Sequence, residues 1–466
     1  MSSKDARIVV VGAGAAGLSA AHHLVQNGFS NVIVLEATNR IGGRIHTVEF
    51  GDGIIELGAN WIHGTGKENS MYTLAKEKGL IMEPYVFLDS EKEMTLTERG
   101  TEIDKITVKK AWKIIEKIED ELEDGISYKK DLNCQDYIEK RFTEEIDKRK
   151  MNEEKKTQIQ MFCKLMIGYL GLYVGDDLKL ASAKCYEMGG EYDDDDDVIL
   201  SHGYSLLLKA LQDDLTDSRV KFKRNVVSIQ WKSEQSTVKV ICESQDKTIE
   251  EYIADHVIVT CSLGHLKQNH DNIFHPSLPD KKIKAIERMG FGSVGKIFLY
   301  YEIPFWRKED SGIVLAWDSS DDDSTSWYKS IFKFSTIPTC ENVLLAWIHG
   351  KASKHMETLS INEVARTCTE ILRKFWKNKE IPEPTLTETS SWSRDPSFLG
   401  AYSYFAVDSH KSCISDIAEP LFVADKPIVC FAGEATDSKW FSYTHGARSS
   451  GIREANRILN LSSSSK

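Results

Sequence analysis

The chain has no apolar run close to the roughly 20 residues that a helix needs to cross a bilayer. Its nine cysteines are scattered, and none forms a Cys-x-x-Cys pair or another metal-type spacing. This distribution favours reduced thiols and argues against a disulfide framework or a metal site. The beginning of the chain lacks a long apolar stretch with a cleavage site, and its end lacks a Ser-Lys-Leu address. We therefore expect a cytoplasmic protein without a secretory or peroxisomal signal.

A surplus of positive charge is also absent, because 59 Lys and Arg residues stand against 71 Asp and Glu residues, for a net charge of −12. Such a balance argues against broad nucleic-acid binding and is compatible with a cationic ligand. An acidic surface is also a common means of staying soluble, and that reading stays open. We expect no nucleic-acid partner, no membrane partner, and a monomer or a weak homo-oligomer.

The length of 466 residues is too great for one simple core and predicts two domains. Strand-like patterns recur along the whole chain, at residues 7–11, 31–35, 220–231, 238–242, 255–261, 296–301 and 428–432. Helical patterns cover residues 15–26, 105–122, 142–172 and 449–459. This order predicts an α/β domain assembled from discontinuous segments, with a second, more helical domain inserted between them.

The first strand and the first helix are joined by a glycine-rich turn, Gly12-Ala-Gly14-Ala-Ala-Gly17. Gly12 permits the tight turn, Gly14 lets the backbone approach a pyrophosphate, and Gly17 permits close packing of helix against strand. The helix N-terminus adds N–H groups and a positive dipole end, and Glu36 after the second strand can accept from ribose hydroxyls. These features predict a Rossmann-type dinucleotide site, without choosing between NAD and FAD.

Further motifs follow in an order that resembles the flavin-containing amine oxidases. Residues 36–44 (EATNRIGGR) resemble the extended flavin signature of that family. Residues 57–64 (LGANWIHG) resemble the polyamine oxidase version of a segment that passes close to the flavin. Similar matches occur at residues 290–298, 391–393 (SWS), 431–436 (FAGEAT) and 443–447 (YTHGA). The resemblance therefore extends over most of the chain and is far more specific than the glycine motif alone.

This resemblance implies an amine oxidase fold, in which a discontinuous Rossmann-type FAD-binding domain carries an inserted α+β substrate-binding domain. The implied segments are 1–88, 199–290 and 401–466 for FAD, and 89–198 and 291–400 for the substrate. It also implies hydride transfer from the carbon next to a neutral amine to flavin N5, and reoxidation by O2 with release of H2O2. Position 401 is alanine, where some monoamine oxidases have the cysteine that bonds the flavin, so we expect non-covalent FAD.

The family's site residues carry over onto matching positions of this sequence. The resemblance implies that Lys296 holds a water near flavin N5 and that His63 contacts a substrate nitrogen. It also implies that Tyr402 and Tyr443 flank the amine, since ring faces attract a cation. The implied FAD contacts are Gly12, Gly14, Ala15, Ala16, Gly17, Glu36, Ala37, Arg44, Gly58, Ala59, Asn60, Trp61, Val227, Trp392, Gly433, Glu434, Tyr443 and Thr444.

Without the resemblance, these residues have ordinary structural interpretations. The two tyrosines are consistent with core packing, Lys296 with a solvated strand end, and His63 with a satisfied structural histidine. Arg40 and Arg44 are consistent with surface ion pairs, although a guanidinium fork also suits a pyrophosphate.

An acidic concentration lies near the middle of the chain, where five aspartates at 193–197 follow Glu187 and Glu191. Because a polyamine carries several positive charges, Glu187 and Asp195 are candidate substrate contacts. The other candidates are Trp61, His63, Tyr402 and Tyr443. Runs of like charge are commonly solvated loops, so the structural interpretation of the aspartates stays open.

The favoured interpretation is FAD-dependent oxidation of spermine, spermidine or their N1-acetylated forms, which gives an aminoaldehyde, a shorter amine and H2O2. The segment around His63 favours polyamines over other amines. A monoamine, amino-acid or histone-lysine oxidase remains an alternative, as does a non-catalytic flavoprotein-like binding module. The presence of Lys296, Trp392 and both tyrosines argues against the non-catalytic alternative.

Overall fold

The computed structural model describes residues 3–84, 93–123, 132–183, 196–213, 215, 218–232, 236–307, 311–318 and 324–463. Within these ranges, no helix has both the length and the apolar composition needed to cross a bilayer. The eight cysteines that the ranges contain are free thiols.

The described residues form twelve α-helices: α1 (Ala15–Gln26), α2 (Ser70–Glu77), α3 (Lys105–Glu123), α4 (Cys134–Asp147), α5 (Glu153–Val174), α6 (Tyr204–Asp213), α7 (Leu263–Ile273), α8 (Asp280–Arg288), α9 (Gly350–Met356), α10 (Ile361–Trp376), α11 (Ser412–Ala418) and α12 (Thr444–Ser463). The sequence predicts the bounds of α1 correctly. The prediction of one helix over residues 142–172 is wrong, because α4 ends at Asp147 and a new helix begins after Asn152. The Asn152 side chain accepts from the Lys155 N–H and so caps α5.

The strands are β1 (Ile8–Val11), β2 (Val32–Leu35), β3 (Thr47–Phe50), β4 (Gly53–Glu56), β5 (Ile62–His63), β6 (Ile81–Pro84), β7 (Met94–Thr97), β8 (Asp197–Leu200), β9 (Val220–Lys221), β10 (Arg224–Gln230), β11 (Val238–Ser244), β12 (Ile249–Ala254), β13 (His256–Val259), β14 (Phe274–His275), β15 (Gly290–Phe291), β16 (Val294–Tyr300), β17 (Gly312–Ala316), β18 (Lys333–Ile337), β19 (Cys340–His349), β20 (Leu386–Thr389), β21 (Ser403–Tyr404), β22 (Leu421–Val423) and β23 (Lys426–Phe431).

The first large sheet has the order β22-β23-β13-β1-β2-β9 and is parallel except for the edge pair β22 and β23. Every residue of β1 and of β13 is buried, as expected of apolar strands that are covered on both faces. The predicted strands in this sheet at 7–11, 31–35, 255–261 and 428–432 are confirmed to within two residues. The sheet therefore joins strands from three distant parts of the chain in one mixed α/β fold.

Helix α1 follows β1 and packs against α12, the last helix of the chain. The two backbones approach so closely that a Cβ at Gly451 would lie 2.1 Å from the backbone oxygen of Ala16. Leu18, Ala20 and Leu24 of α1 are fully buried in the same core. Small residues on both helices permit this contact, which fixes the start of α1 relative to the sheet.

The second large sheet has the order β20-β16-β19-β18-β17-β7 and is mostly antiparallel. Its two faces enter different cores, because successive side chains of a strand point to opposite sides. On β17, Val314 and Ala316 pack with α3, α4 and α5, whereas Ile313 and Leu315 pack with α10. A smaller antiparallel sheet of β10, β11 and β12 packs against the first large sheet through the core around Val9 and Val257.

Candidate active site

A cavity of about 960 Å³ is lined by residues from both large sheets and from the helices around them. At one end lie the glycine-rich turn after β1 and the residues that follow β2. At the other end lie side chains of α3 and α5, together with His63 and Asp197. Lys296, Trp392, Tyr402 and Tyr443 line the same cavity. A single cavity therefore joins most of the residues that the sequence singled out.

The glycine turn has the backbone that the motif predicts. Gly12 has a φ of +101°, and a Cβ there would lie 2.7 Å from the Thr260 hydroxyl. Gly17 does not line the cavity. It packs against the turn itself, where a Cβ would lie 1.9 Å from the Gly12 oxygen. Gly14 is the N-cap of α1 and supplies no side-chain cap, and Ala15 and Ala16 line the cavity beside it. The first-turn N–H groups of α1 thus form an anion site that fits a pyrophosphate.

Glu36 lies at the same end of the cavity and is 6% exposed. Its carboxylate accepts from the Ala13 N–H at 2.7 Å, from the Thr38 N–H at 2.8 Å and from the Thr38 hydroxyl at 2.7 Å. A carboxylate has about four lone-pair sites, so one remains for a ribose hydroxyl. Ala37 also lines the cavity. This end therefore fits the nucleotide half of a dinucleotide.

The resemblance implies a cofactor contact at Val227, and the residues of β10 that line the cavity are its neighbours Arg224, Asn225, Val226 and Ile229. The register of β10 on β11 shifts at this place, between Val226 and Ser228. Such a bulge changes which side chains point to a given face, and the alternation of the sequence does not reveal it.

Arg44 and Glu434, both predicted to contact FAD, are partners of one another across the cavity wall. The Arg44 Nη1 donates to Glu434 Oε1 at 2.9 Å and to the Ala401 oxygen at 2.6 Å. Arg40 is not among the lining residues and donates to three backbone oxygens of the loop, those of Ile41, Gly43 and Ile45. Arg44 therefore joins two parts of the cavity wall, and Arg40 holds the loop that carries it.

The segment after β4 is pressed against the same loop. A Cβ at Gly58 would lie 1.9 Å from the Arg44 oxygen, and the Trp392 Nε1 donates to the Leu57 oxygen at 2.9 Å. Trp61 stacks on Trp347 with ring centroids 5.2 Å apart and an interplanar angle of 15°. The predicted contacts from these segments and from the end of the chain that line the cavity are Gly58, Ala59, Asn60, Trp61, Trp392, Gly433, Glu434, Tyr443 and Thr444.

Lys296 lies on β16, is 2% exposed and lines the cavity. Its ammonium group donates to the Glu56 oxygen at 2.7 Å and to the Gly58 oxygen at 2.6 Å. Burial lowers the pKa of Lys296 below its usual range, and the nearby Glu56 carboxylate acts in the opposite direction. Burial also raises the pKa of Glu56. The cavity therefore contains a lysine whose uncharged form is favoured relative to a lysine in water, a common property of functional groups.

Tyr402 and Tyr443 both line the cavity, and each contacts neighbouring residues of the protein. The Tyr402 hydroxyl donates to the Leu172 oxygen of α5. Burial, followed by the proximity of Tyr443, raises the pKa of Tyr402, which is therefore neutral at any working pH. Tyr443 has the His63 ring at 5.1 Å and the His445 ring at 5.3 Å, the latter nearly parallel. Burial lowers the pKa of His445 to about 3, so that ring is also neutral.

His63 lines the cavity between the tyrosines and the acidic end. Its Nδ1 lies 2.9 Å from Asp197 Oδ1, which is the last aspartate of the run at 193–197. The two residues are neighbours because β5 pairs with β8 in the register His63 to Asp197. A carboxylate on Nδ1 orients the ring and leaves Nε2 for another partner. Glu187 and Asp195, the other acidic candidates, lie outside the described residues.

Two acidic residues that the sequence reading missed, Glu119 and Glu123, line the same end of the cavity as Asp197. They are one helical turn apart on α3 and therefore share a face. Burial, followed by repulsion from Glu123, Asp120 and Glu116, raises the pKa of Glu119 to about 7. The i, i+4 spacing was visible in the sequence, but nothing there indicates that α3 turns this face toward the cavity.

Comparisons with known proteins agree with this geometry. A family model described as flavin containing amine oxidoreductase matches residues 15–459. The chain is 33% identical to the peroxisomal N(1)-acetyl-spermine/spermidine oxidase of Homo sapiens, with 98% of this chain and 95% of the relative covered. It is 32% identical to the Bos taurus protein of the same name, with the same coverage. It is 31% identical to probable polyamine oxidase 5 of Arabidopsis thaliana, with 98% of each chain covered.

Proposed function

Because the chain belongs to the family of flavin-containing amine oxidoreductases, we propose that it oxidises a polyamine with FAD as its cofactor and O2 as the acceptor. The family membership confirms the resemblance seen in the motifs and makes the chain a flavin-dependent oxidoreductase. The names of the relatives, which specify polyamine and N(1)-acetyl-spermine/spermidine oxidases, support the choice of substrate class. The acidic end of the cavity supports it independently.

The observation that carries the proposal is the continuity of the cavity from the glycine turn to the acidic end. The N–H groups at the start of α1, Lys296 and the acidic groups line this one cavity, so its residues would hold both a flavin dinucleotide and a polyamine. Glu119, Glu123 and Asp197 can attract the distant ammonium groups of a polyamine, while an uncharged amine nitrogen enters between the aromatic rings. A small monoamine would leave these three carboxyl groups unused.

We also propose the domain division that the resemblance implies. Segments 1–88, 199–290 and 401–466 would form the FAD-binding domain, and all six strands of the first large sheet come from these segments. Segments 89–198 and 291–400 would form the substrate domain, and all six strands of the second large sheet come from them. The cavity between the sheets would then be the place where cofactor and substrate meet.

When bound, FAD supplies the acceptor for the hydride of the amine and passes the electrons to oxygen. The protein's own residues supply binding, orientation and shielding. The N–H groups of α1 and Glu36 would hold the nucleotide half. Tyr402 and Tyr443 would confine the amine and exclude water, and His63, oriented by Asp197, would contact a substrate nitrogen. Lys296 would hold or release a proton at its Nζ near neutral pH.

A single spectroscopic experiment tests this function. The purified protein should be yellow, and spermine, spermidine or an N1-acetylated form added without oxygen should bleach the flavin band, which returns when air is admitted. Identification of the products by mass would then show which bond is cut. Bleaching by a monoamine, an amino acid or a methylated lysine peptide, with none by a polyamine, would select another branch of the family. A protein that stays colourless and inert after FAD is added would be a binding module.

The human and bovine relatives are named as peroxisomal, so we propose the cytoplasmic location only as a prediction from the sequence. Fluorescence microscopy of the chain with an internal tag, compared with a peroxisomal marker, tests it. Co-localisation with the marker would contradict it.

A further inference from the structure

Lys296 is a buried cation whose hydrogen-bond partners are all uncharged. They are the backbone oxygens of Glu56 and Gly58, with the side-chain oxygen of Asn60 at 3.5 Å. The Glu56 carboxylate is engaged elsewhere, since it accepts from the Thr47 hydroxyl and from the Tyr204 N–H. Among the described residues, no carboxylate oxygen lies within 4.0 Å of the Lys296 ammonium. A charge in such a place needs another source of stabilisation.

Trp347 supplies a negative surface at this position. It faces Lys296 directly across the antiparallel pair of β16 and β19, and the Lys296 Nζ lies 4.2 Å from the centre of its ring. Trp61 stacks on Trp347 and limits its rotation. The face of an indole carries the negative part of the ring quadrupole, and its attraction for a cation is largest where water is excluded. Trp347 is 8% exposed and lines the cavity.

We propose that Trp347 is a positioning residue that holds the Lys296 ammonium at the cavity wall through a cation–π contact. The ring offsets part of the cost of burying the charge and keeps the Nζ between the Glu56 and Gly58 oxygens. The catalytic consequence rests on the proposed function, because it assumes that Lys296 serves the oxidation. The contact itself does not depend on that function, because its two partners belong to the chain.

The protonation of Lys296 gives a readout that activity alone would not. Protein labelled with ¹³C at the lysine Cε would be titrated by NMR, with and without added FAD, and the Lys296 signal identified by its absence in Lys296→Met. In Trp347→Leu we expect the Lys296 pKa to fall by about 1.5 units, since loss of a desolvated cation–π contact removes stabilisation from the charged form only. The Lys296 pKa in Trp347→Phe should lie between the values in wild type and in Trp347→Leu.

A matched control separates this effect from loss of packing. Trp327 is 6% exposed in the core of the same sheet and has no lysine over its ring in the described residues. Trp327→Leu should lower the melting temperature and leave the Lys296 titration unchanged. If Trp347→Leu does not fold, a trifluorinated tryptophan at position 347 keeps the shape and weakens the negative face, and the pKa should still fall.

The outcomes distinguish this inference from the proposed function. An Lys296 titration that is the same in wild type, in Trp347→Leu and in the fluorinated protein would overturn the role of Trp347, even if the enzyme oxidises polyamines. A wild-type protein that ignores polyamines would overturn the function, while a shifted titration would still establish the contact. With activity present, a lowered pKa should also move the kcat profile of Trp347→Leu to lower pH by the same amount.

Discussion

At the scale of single residues, burial has shifted the pKa values of ionisable groups in and next to the cavity. The pKa of Lys296 is lowered, the pKa of the neighbouring Glu56, which does not line the cavity, is raised, and the pKa of Glu119 is raised to about 7. All three shifts have the same physical cause, because burial favours the uncharged form of a lysine and of a carboxyl group alike. The rate and the affinity should therefore depend on pH in the neutral range.

The first residue-scale prediction concerns Lys296. Lys296→Met removes the amine and keeps an unbranched apolar side chain of similar length. We expect a loss in the rate of flavin reduction or reoxidation of about 100-fold or more, the range of a positioned proton-transfer group, with flavin content unchanged. Stopped-flow absorbance of both half-reactions measures it. Unchanged rates in both would remove Lys296 from the mechanism.

The second concerns Glu119 at the acidic end. Because the pKa of Glu119 is raised to about 7 in the folded protein, its carboxyl group is neutral below that pH and charged above it. Its attraction for a polyamine should therefore increase as the pH rises through 7. Glu119→Gln should raise the KM for spermine about fivefold at pH 8, equivalent to roughly 1 kcal/mol, and much less at pH 6. Glu154→Gln, at an exposed position of α5 away from the cavity lining, serves as the control. A KM ratio that does not vary with pH would contradict the assignment.

At the scale of secondary-structure elements, the end of α5 determines where Tyr402 lies. Helix α5 ends in a left-handed residue, Gly175, with a φ of +76°. A Cβ there would lie 2.7 Å from the Tyr402 ring, and the Leu172 oxygen of the same helix accepts from the Tyr402 hydroxyl. The helix end and the tyrosine are thus one packed unit that forms the wall of the cavity.

This packing leads to a prediction with an internal control. Gly175→Ala and Gly79→Ala both place a side chain at a positive φ, +76° and +67°, and share a strain of about 1–2 kcal/mol. Gly79 has nothing within 4 Å of the added Cβ, whereas Gly175 would collide with Tyr402. We expect both to lower stability, measured by chemical denaturation, and only Gly175→Ala to lower kcat/KM, by about tenfold or more. Equal kcat/KM in the two variants would show that the position of the Tyr402 ring does not matter for activity.

The elements also show what the sequence can and cannot predict. The β1–α1–β2 unit is predictable from the sequence because its strands are uninterrupted apolar runs. Its glycines stand where the backbone needs a tight turn or a close approach of helix to strand. The break between α4 and α5 was missed, since a lone Asn152 cap is a weak signal within a long helical pattern. The register shift next to Val226 on β10 was also missed, because a bulge leaves no mark on the alternation of apolar residues. The cavity face of α3 and the partnership of Trp347 with Lys296 depend on tertiary packing, which local patterns do not contain.

At the scale of the whole molecule, the cavity is lined by residues of both large sheets. Its walls combine Gly12 and Gly14 of the glycine turn, Lys296 on β16 and Tyr443 before α12. The order of the motifs in the sequence indicates the family and the cofactor, because each motif is a short continuous run of residues that can be recognised locally. How the motifs are arranged around one space required the structure.

The whole-molecule prediction is that the flavin dissociates. The position of the bonding cysteine in some monoamine oxidases is Ala401 here, and its methyl group cannot form a thioether. Acid or guanidinium denaturation should release all of the yellow colour into the filtrate. FAD added at 100 times its Kd should stabilise the apoprotein by about 2.7 kcal/mol, measured as a rise in melting temperature. Colour retained on the precipitated chain would contradict this.

The strand order of the first sheet also has a consequence for how the chain is made. Strand β1 pairs with β2, which follows it closely, but its other neighbour, β13, comes from the middle of the chain, and α12, which packs on α1, comes later still. Until β13 is in place, one edge of the apolar strand β1 lacks its partner, and an unpaired apolar edge is prone to aggregate. The contacts that hold the glycine turn in place therefore have a large sequence separation, and such contacts form slowly during folding.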